Sequence, residues 1–168
     1  MSERDDGIGA IRAEIAERAA AARARPLSLA EARAQVEAMT AKIPLPEGVR
    51  VAQGDLGGVA CEMVTPASAR PGRTILYLHG GGYATGAART HRGRSAQVAL
   101  SAGAEVAALD YRLAPEHPFP AAVDDVLAGY RALLAAGRPP GQVLVAGDSA
   151  GGGPALALAI GLEAAGLP

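Results

Sequence analysis

Two short glycine-rich segments carry groups suited to acyl chemistry. Residues 147–151 read Gly-Asp-Ser-Ala-Gly, a G-x-S-x-G pattern centred on Ser149. The apolar run QVLVA before it reads as a strand, and the residues after it read as a helix. A sharp strand-to-helix turn needs glycine at both flanks, where Cβ atoms would collide, and it lifts the serine hydroxyl above the sheet edge. The helix N-terminus behind the serine offers N–H groups and positive potential to a developing oxyanion. The second segment, His79-Gly80-Gly81-Gly82, follows the apolar run TILYL. Glycines there let backbone N–H groups approach a carbonyl oxygen without obstruction. A G-x-S-x-G arises easily in a chain with 22 glycines, whereas HGGG is far rarer. Both segments follow the carboxyl ends of expected strands, which is where open α/β sheets place their sites.

The rest of the sequence must hold these two turns. Residues 5–24 form an expected helix with Ile8, Ile11 and Ile15 on one face, Asp5 and Asp6 in the first turn and arginines toward the end. Pro26 ends it. Ser28 and Glu31 then form an S-x-x-E capping box that opens a second helix to about Thr40, with Val36 and Met39 as its apolar stripe. Both helices are expected to pack on a core. From Ile43 the pattern changes to two alternating segments, Val49–Ala52 and Val59–Val64, that read as a hairpin-like pair of strands. TILYL is continuous and apolar, as a buried parallel strand is. Beyond it, residues 91–102, 121–136 and 150–165 read as helices, and 104–110 and 142–147 as strands. This alternation predicts an α/β fold, a mostly parallel sheet with right-handed crossovers and helices on both faces, preceded by two N-terminal helices.

Composition narrows the partners. The chain has 168 residues, with 16 basic and 17 acidic side chains and a net charge of −1, so it has no basic field for nucleic acid or an anionic membrane surface. Its one cysteine, Cys61, cannot form an internal disulfide or a multi-cysteine zinc site. It reads as a small buried hydrophobe in a reducing compartment. No metal or cofactor is expected. The opening MSERDDGIGA is acidic and polar where a secretory signal is basic and then apolar, and AGGGPALALAIGL from Ala150 falls short of the roughly 20 apolar residues of a membrane span. A cytoplasmic location is expected. With aromatic residues at 3%, the core must be built from Ala, Leu, Val and Ile, and the abundance of alanine suits helices lying close on a sheet.

HGGGY at 79–83, DYRLAPEHPFPAAVDD at 110–125 and GDSAGGG at 147–153 resemble the hormone-sensitive lipase family of α/β-hydrolases, the bacterial family IV esterases. The resemblance runs from the N-terminal helices to Pro168. It implies a carboxylic-ester hydrolase acting on short-chain or aryl esters, with Ser149 as nucleophile and the N–H groups of Gly81, Gly82 and Ala150 as oxyanion hole. It gives His79 and Gly80 the shaping of that loop and Asp148 a hydrogen-bonding brace beside the serine. It also makes residues 1–42 a helical cap segment over an acyl pocket, and residues 43–168 the N-terminal part of the catalytic domain. In the loop after residue 110, Arg112 and Glu116 are expected to pair, and Glu116 is a candidate for orienting the nucleophile loop. Asp124 or Asp125 supplies first-turn charge to the following helix. His91 and Arg92 sit at a helix start and carry no functional assignment.

A triad of this fold runs Ser, then Asp or Glu, then His, yet no histidine and no aspartate follows Ser149, and Glu163 is the only later acid. All three histidines, His79, His91 and His117, lie upstream, and none is expected to act as the base. The chain therefore reads as C-terminally truncated, lacking the triad acid and base. In the family's strand order, the nucleophile strand then becomes an exposed edge, through which self-association is expected. Two local departures accompany this. Pro154 is expected to cost about 3 kcal/mol inside a regular helix, and Met63 stands where relatives often carry tryptophan. Two other readings stand beside the hydrolase: a noncatalytic small-molecule binder on the same fold, and an inactive fragment.

Overall fold

The computed structural model describes residues 3–168, and the side chains of residues 7–20 and 24–168. The chain divides into two compact units, Met1–Ala32 and Arg33–Pro168.

The first unit holds helix α1 (Glu3–Ala24) and the start of α2 (Leu29–Thr40). The capping box forms: the Ser28 N–H donates to Glu31 Oε2 at 2.8 Å, and the Glu31 N–H donates to Ser28 Oγ at 3.3 Å. Within this unit Ile8, Ile11 and Ile15 are each more than half exposed, and alanine propensity and the Glu14–Arg18 pair at i,i+4 support the helix. Farther along α2, Val36 is half-buried but Met39 is exposed, so Met39 does not belong to an apolar stripe.

The second unit is a five-stranded sheet: β1 (Val49–Leu56), β2 (Val59–Pro66), β3 (Thr74–Leu78), β4 (Glu105–Leu109) and β5 (Val143–Gly147), in the order β1-β2-β4-β3-β5. β1 and β4 each pair antiparallel with β2, while β3 pairs parallel with both β4 and β5. Four strands thus point one way and only β2 opposes them. Leu78 stands level with Leu109 on one side and Gly147 on the other, so the chain leaves β3, β4 and β5 at one edge of the sheet. Everything assigned to chemistry emerges there.

Helices α3 (Arg92–Ala102), α4 (Ala121–Ala135) and α5 (Gly152–Ala164) cover the faces. β3 is buried throughout, and its residues alternate: Leu76 and Leu78 join the core under α4 and α5, while Ile75 and Tyr77 join the core under α3. On α3, Ala96 and Ala99 are fully buried and let the helix lie close to the sheet. Cys61 is buried, its Sγ–H donating to Met63 Sδ at 3.8 Å, and burial pushes its thiol up to about 11. The expected helix from residue 150 is divided. A short 3₁₀ turn, Ser149–Gly151, precedes α5, so Pro154 is the third residue of that helix. Its missing N–H falls among first-turn donors that lack an intrahelical partner anyway, and the expected cost does not arise.

Candidate active site

Ser149 sits on the tight turn between β5 and α5 with φ of +50°, a left-handed conformation rare for a residue with a side chain, and it is exposed. The flanking glycines make this turn feasible. A Cβ on Gly147 would lie 2.3 Å from the Gly151 carbonyl oxygen, and one on Gly151 would lie 2.1 Å from that of Leu78 at the end of β3. The elbow is therefore pressed against the strand that leads into HGGG. A Cβ on Gly80 would come within 3.1 Å of Ser149 Cβ, so the loop and the elbow touch.

Past Gly80 the backbone turns through positive φ at Gly81 (+133°), Gly82 (+62°) and Tyr83 (+62°). The Gly81 carbonyl accepts from the Thr85 N–H and from Thr85 Oγ1, each at 2.9 Å, which fixes the turn. Among the described residues, the Gly81 and Gly82 N–H groups donate to no protein acceptor. They are open to a ligand oxygen.

His79 is the post of this loop. Its Nδ1–H donates to the Gly80 carbonyl at 2.8 Å, its ring stacks on Tyr111 with centroids 4.4 Å apart, and Tyr111 Oη donates to the His79 carbonyl. Burial lowers its pKa, so the ring is held neutral, and its Nε2 has no partner. Asp148 is the brace between loop and elbow. Its Oδ1 accepts from Tyr77 Oη at 2.8 Å and from the Gly80 N–H at 3.0 Å, Arg94 pairs with Oδ2, and His91 Nε2 stands 3.8 Å from Oδ1. Burial opposes the Asp148 charge, but the Tyr77 hydroxyl, His91, Arg94 and the Gly80 N–H together hold the carboxyl below its usual range.

None of the histidines bonds to Ser149 Oγ among the described residues: His79 turns to Gly80, and His91 Nδ1 faces Thr90 Oγ1 and the Ala87 carbonyl. His117 lines an apolar cavity of about 430 Å³ with Tyr83, Phe119 and Pro154.

Two expectations need correction. Arg112 does not pair with Glu116; its guanidinium lies on Asp125, which is buried on α4 and therefore more than a first-turn charge. Glu116 does not orient the nucleophile loop: both its oxygens accept from Arg33, at 2.7 and 2.8 Å. His91 and Arg92 do stand at a helix start. His91 adjoins Asp148, and Arg92 is bonded twice to the buried Glu62. The sequence reading missed Tyr77, Arg94 and Arg33. Tyr77 could have been found by counting faces along TILYL, but no local pattern marks the two arginines.

A cavity of about 560 Å³ opens beside Gly80, Gly81 and Asp148, with Val36, Ile43 and Leu45 on its apolar side. Among the described residues no group of three or more His, Cys, Asp or Glu could hold a metal ion, and no helix is long and apolar enough to cross a membrane. The site offers an exposed hydroxyl, open backbone donors next to it and a charged brace between them, the parts needed to attack and polarise a carbonyl.

Residues 75–168 match the family model described as alpha/beta hydrolase fold. An acetyl-hydrolase of Streptomyces hygroscopicus is 53% identical over 113 residues, covering 67% of this chain and 38% of that protein. Esterase LipU of Mycobacterium tuberculosis is 38% identical over 131 residues, covering 75% and 44%. The crystal structure of an esterase from the bacterial hormone-sensitive lipase family superposes with a TM-score of 0.81 at 42% identity, covering 84% of this chain and 48% of that one. The chain thus spans about half the length of these relatives, or less. On the matched motifs and the shared fold, it belongs to the α/β-hydrolase fold family, with relatives of the hormone-sensitive lipase type.

Proposed function

We propose that this chain is the nucleophile-bearing part of a carboxylic-ester hydrolase acting on short-chain or aryl esters. Ser149 Oγ attacks the acyl carbon and gives its proton to a general base. The carbonyl oxygen, now an anion, accepts from the N–H groups of Gly81, Gly82 and Ala150; the alkoxide leaves with a proton, and water then cleaves the acyl-enzyme. The observation that carries this reading is a serine strained into positive φ against a loop whose Gly81 and Gly82 N–H groups have no protein partner. No histidine or aspartate follows Ser149 in the sequence, so we assign the triad acid and base to the part of the relatives' length that this chain does not span. Residues 1–42 are read as the cap segment and 43–168 as the catalytic part. The lone buried thiol supports a cytoplasmic protein.

The test joins residues 1–168 to the C-terminal portion of the Streptomyces hygroscopicus relative and follows p-nitrophenyl acetate. The joined protein should turn over, and Ser149→Ala should lower its rate by at least about 10⁴-fold. Residues 1–168 alone should stay several orders of magnitude below the joined protein, with Ser149→Ala making little difference. Turnover of the joined protein that survives Ser149→Ala overturns the nucleophile. Strong Ser149-dependent turnover by residues 1–168 alone overturns the assignment of the base.

A further inference from the structure

The 560 Å³ cavity beside the elbow has walls of two kinds. The apolar side comes from Val36 on α2 and from Ile43 and Leu45 after it. The polar part of the lining comes from the residues just before α3 and from its first turn, and carries Arg89, His91, Arg92 and Arg94 with one carboxylate, Asp148. Gly80, Gly81 and Asp148 also line it, and Gly80 abuts Ser149, so the cavity adjoins the elbow.

The three arginines are not equivalent. Arg92 is occupied: its Nε and Nη2 both bond Glu62, which is only 2% exposed and has Gln53 as a further donor. Arg89 and Arg94 each make a single ion-pair contact, Arg89 through Nη2 to Glu37 and Arg94 through Nη1 to Asp148, and their side chains are 56% and 57% exposed. A guanidinium has five N–H donors, so each retains four while its charge stays fixed by a carboxylate behind it. The charges are balanced overall by Glu37, Glu62 and Asp148. Recognition therefore rests on the placement of free donors rather than on a net field. Such donors suit a planar group that accepts two parallel hydrogen bonds, as a carboxylate does. The apolar part of the lining fits a short hydrocarbon stem.

We propose that the cavity is a substrate subsite for an ester branch that ends in a carboxylate, a short half-ester of a dicarboxylic acid being the simplest example, read by Arg94 and Arg89. This deepens the hydrolase reading, since it places the branch relative to the carbon that Ser149 would attack.

Binding tests it without turnover, on residues 1–168 as they stand. Monoethyl succinate and ethyl butyrate differ chiefly in the terminal carboxylate, and each is titrated into ¹⁵N-labelled protein while the Gly81 amide and the arginine Nε–H signals are followed. Monoethyl succinate should shift Gly81 together with Arg94 and Arg89 in a saturable way, and should bind at least about tenfold more tightly than ethyl butyrate. Arg94→Gln should remove that preference. Because Arg94 also holds Asp148, Arg89→Gln repeats the test away from the elbow and should weaken the half-ester severalfold while leaving ethyl butyrate unchanged. Equal binding of the two esters, or a preference that survives both substitutions, overturns the proposal. Failure of p-nitrophenyl ester turnover is a separate result that bears on the hydrolase reading alone.

Discussion

Arg33 links segments that are far apart in sequence. Its Nη1 and Nη2 donate to the two oxygens of Glu116, its Nε donates to the Ala84 carbonyl at 2.8 Å, and Nη2 also reaches the Ala114 carbonyl at 3.3 Å. Ala84 follows Tyr83, so the guanidinium steadies the loop just past the glycines. The hydrogen bonds from Arg33, with a smaller backbone contribution, hold the Glu116 carboxyl down to about 2. Because the folded value is depressed, what the tether adds to stability is fully present above the ordinary glutamate value of 4.5 and is lost as pH falls through about 2. A carboxyl-carbon NMR titration should find the Glu116 midpoint near 2 in the native chain and in the ordinary range in Arg33→Gln. An unshifted Glu116 in the native chain contradicts the two-bond pair. This contact was not legible in the sequence, where Arg112 is the near neighbour of Glu116 and Arg33 lies 83 positions away. Helix α4 claims Arg112 through the buried Asp125, and Glu116 is left to the distant partner.

The elbow shows how an element turns sequence pattern into geometry. Gly151 abuts the Leu78 carbonyl, whereas a Cβ on Gly152 would meet nothing within 4 Å, although the two glycines are adjacent. Gly151→Ala should therefore force β3 and the elbow apart and destabilise the fold by about 1–3 kcal/mol or more, while Gly152→Ala should be neutral or slightly stabilising. Urea unfolding midpoints decide it; equal midpoints for the two variants would mean that the turn is not held against β3. The strands and helices of residues 43–168 were legible to within a few residues, because continuous apolar runs, period-2 alternation and helical spacing each reported burial that does exist. The helix beyond Ser149 was misread at its start, since a 3₁₀ turn carries the chain past the serine and sets Pro154 where a proline is tolerated. Ser149 and Gly80 were legible in the G-x-S-x-G and HGGG patterns, whereas the roles expected of His79 and Asp148 came from the resemblance to the hormone-sensitive lipase family. Arg94 was not legible, because Asp148 needs donors but not donors from any particular element.

At the scale of the molecule, the strand that leads into the nucleophile stands at the edge of the sheet formed by the described residues. β5 pairs with β3 on one side and has no strand on the other among the described residues, so one set of its backbone N–H and C=O groups faces outward. Edge strands are ordinarily protected by charge, proline or a bulge, but Val-Leu-Val-Ala-Gly carries none of these. Leu144 on this strand is 60% exposed, and on α5 Leu156 and Ile160 are more than half exposed, with Glu163 the only charged residue of that helix. Two identical edges can pair antiparallel about a twofold axis, each supplying the donors the other lacks, so for residues 1–168 on their own we propose a second copy of the chain as the occupant of this edge. Residues 1–168 should therefore associate with rising concentration in sedimentation velocity. Leu144→Lys, which puts a charge on the edge without touching the β3 side, should shift the protein toward monomer. A chain that stays monomeric up to about 100 μM, in the range where exposed edges and apolar surface drive association, contradicts this. Association that Leu144→Lys leaves unchanged would assign the contact to another surface.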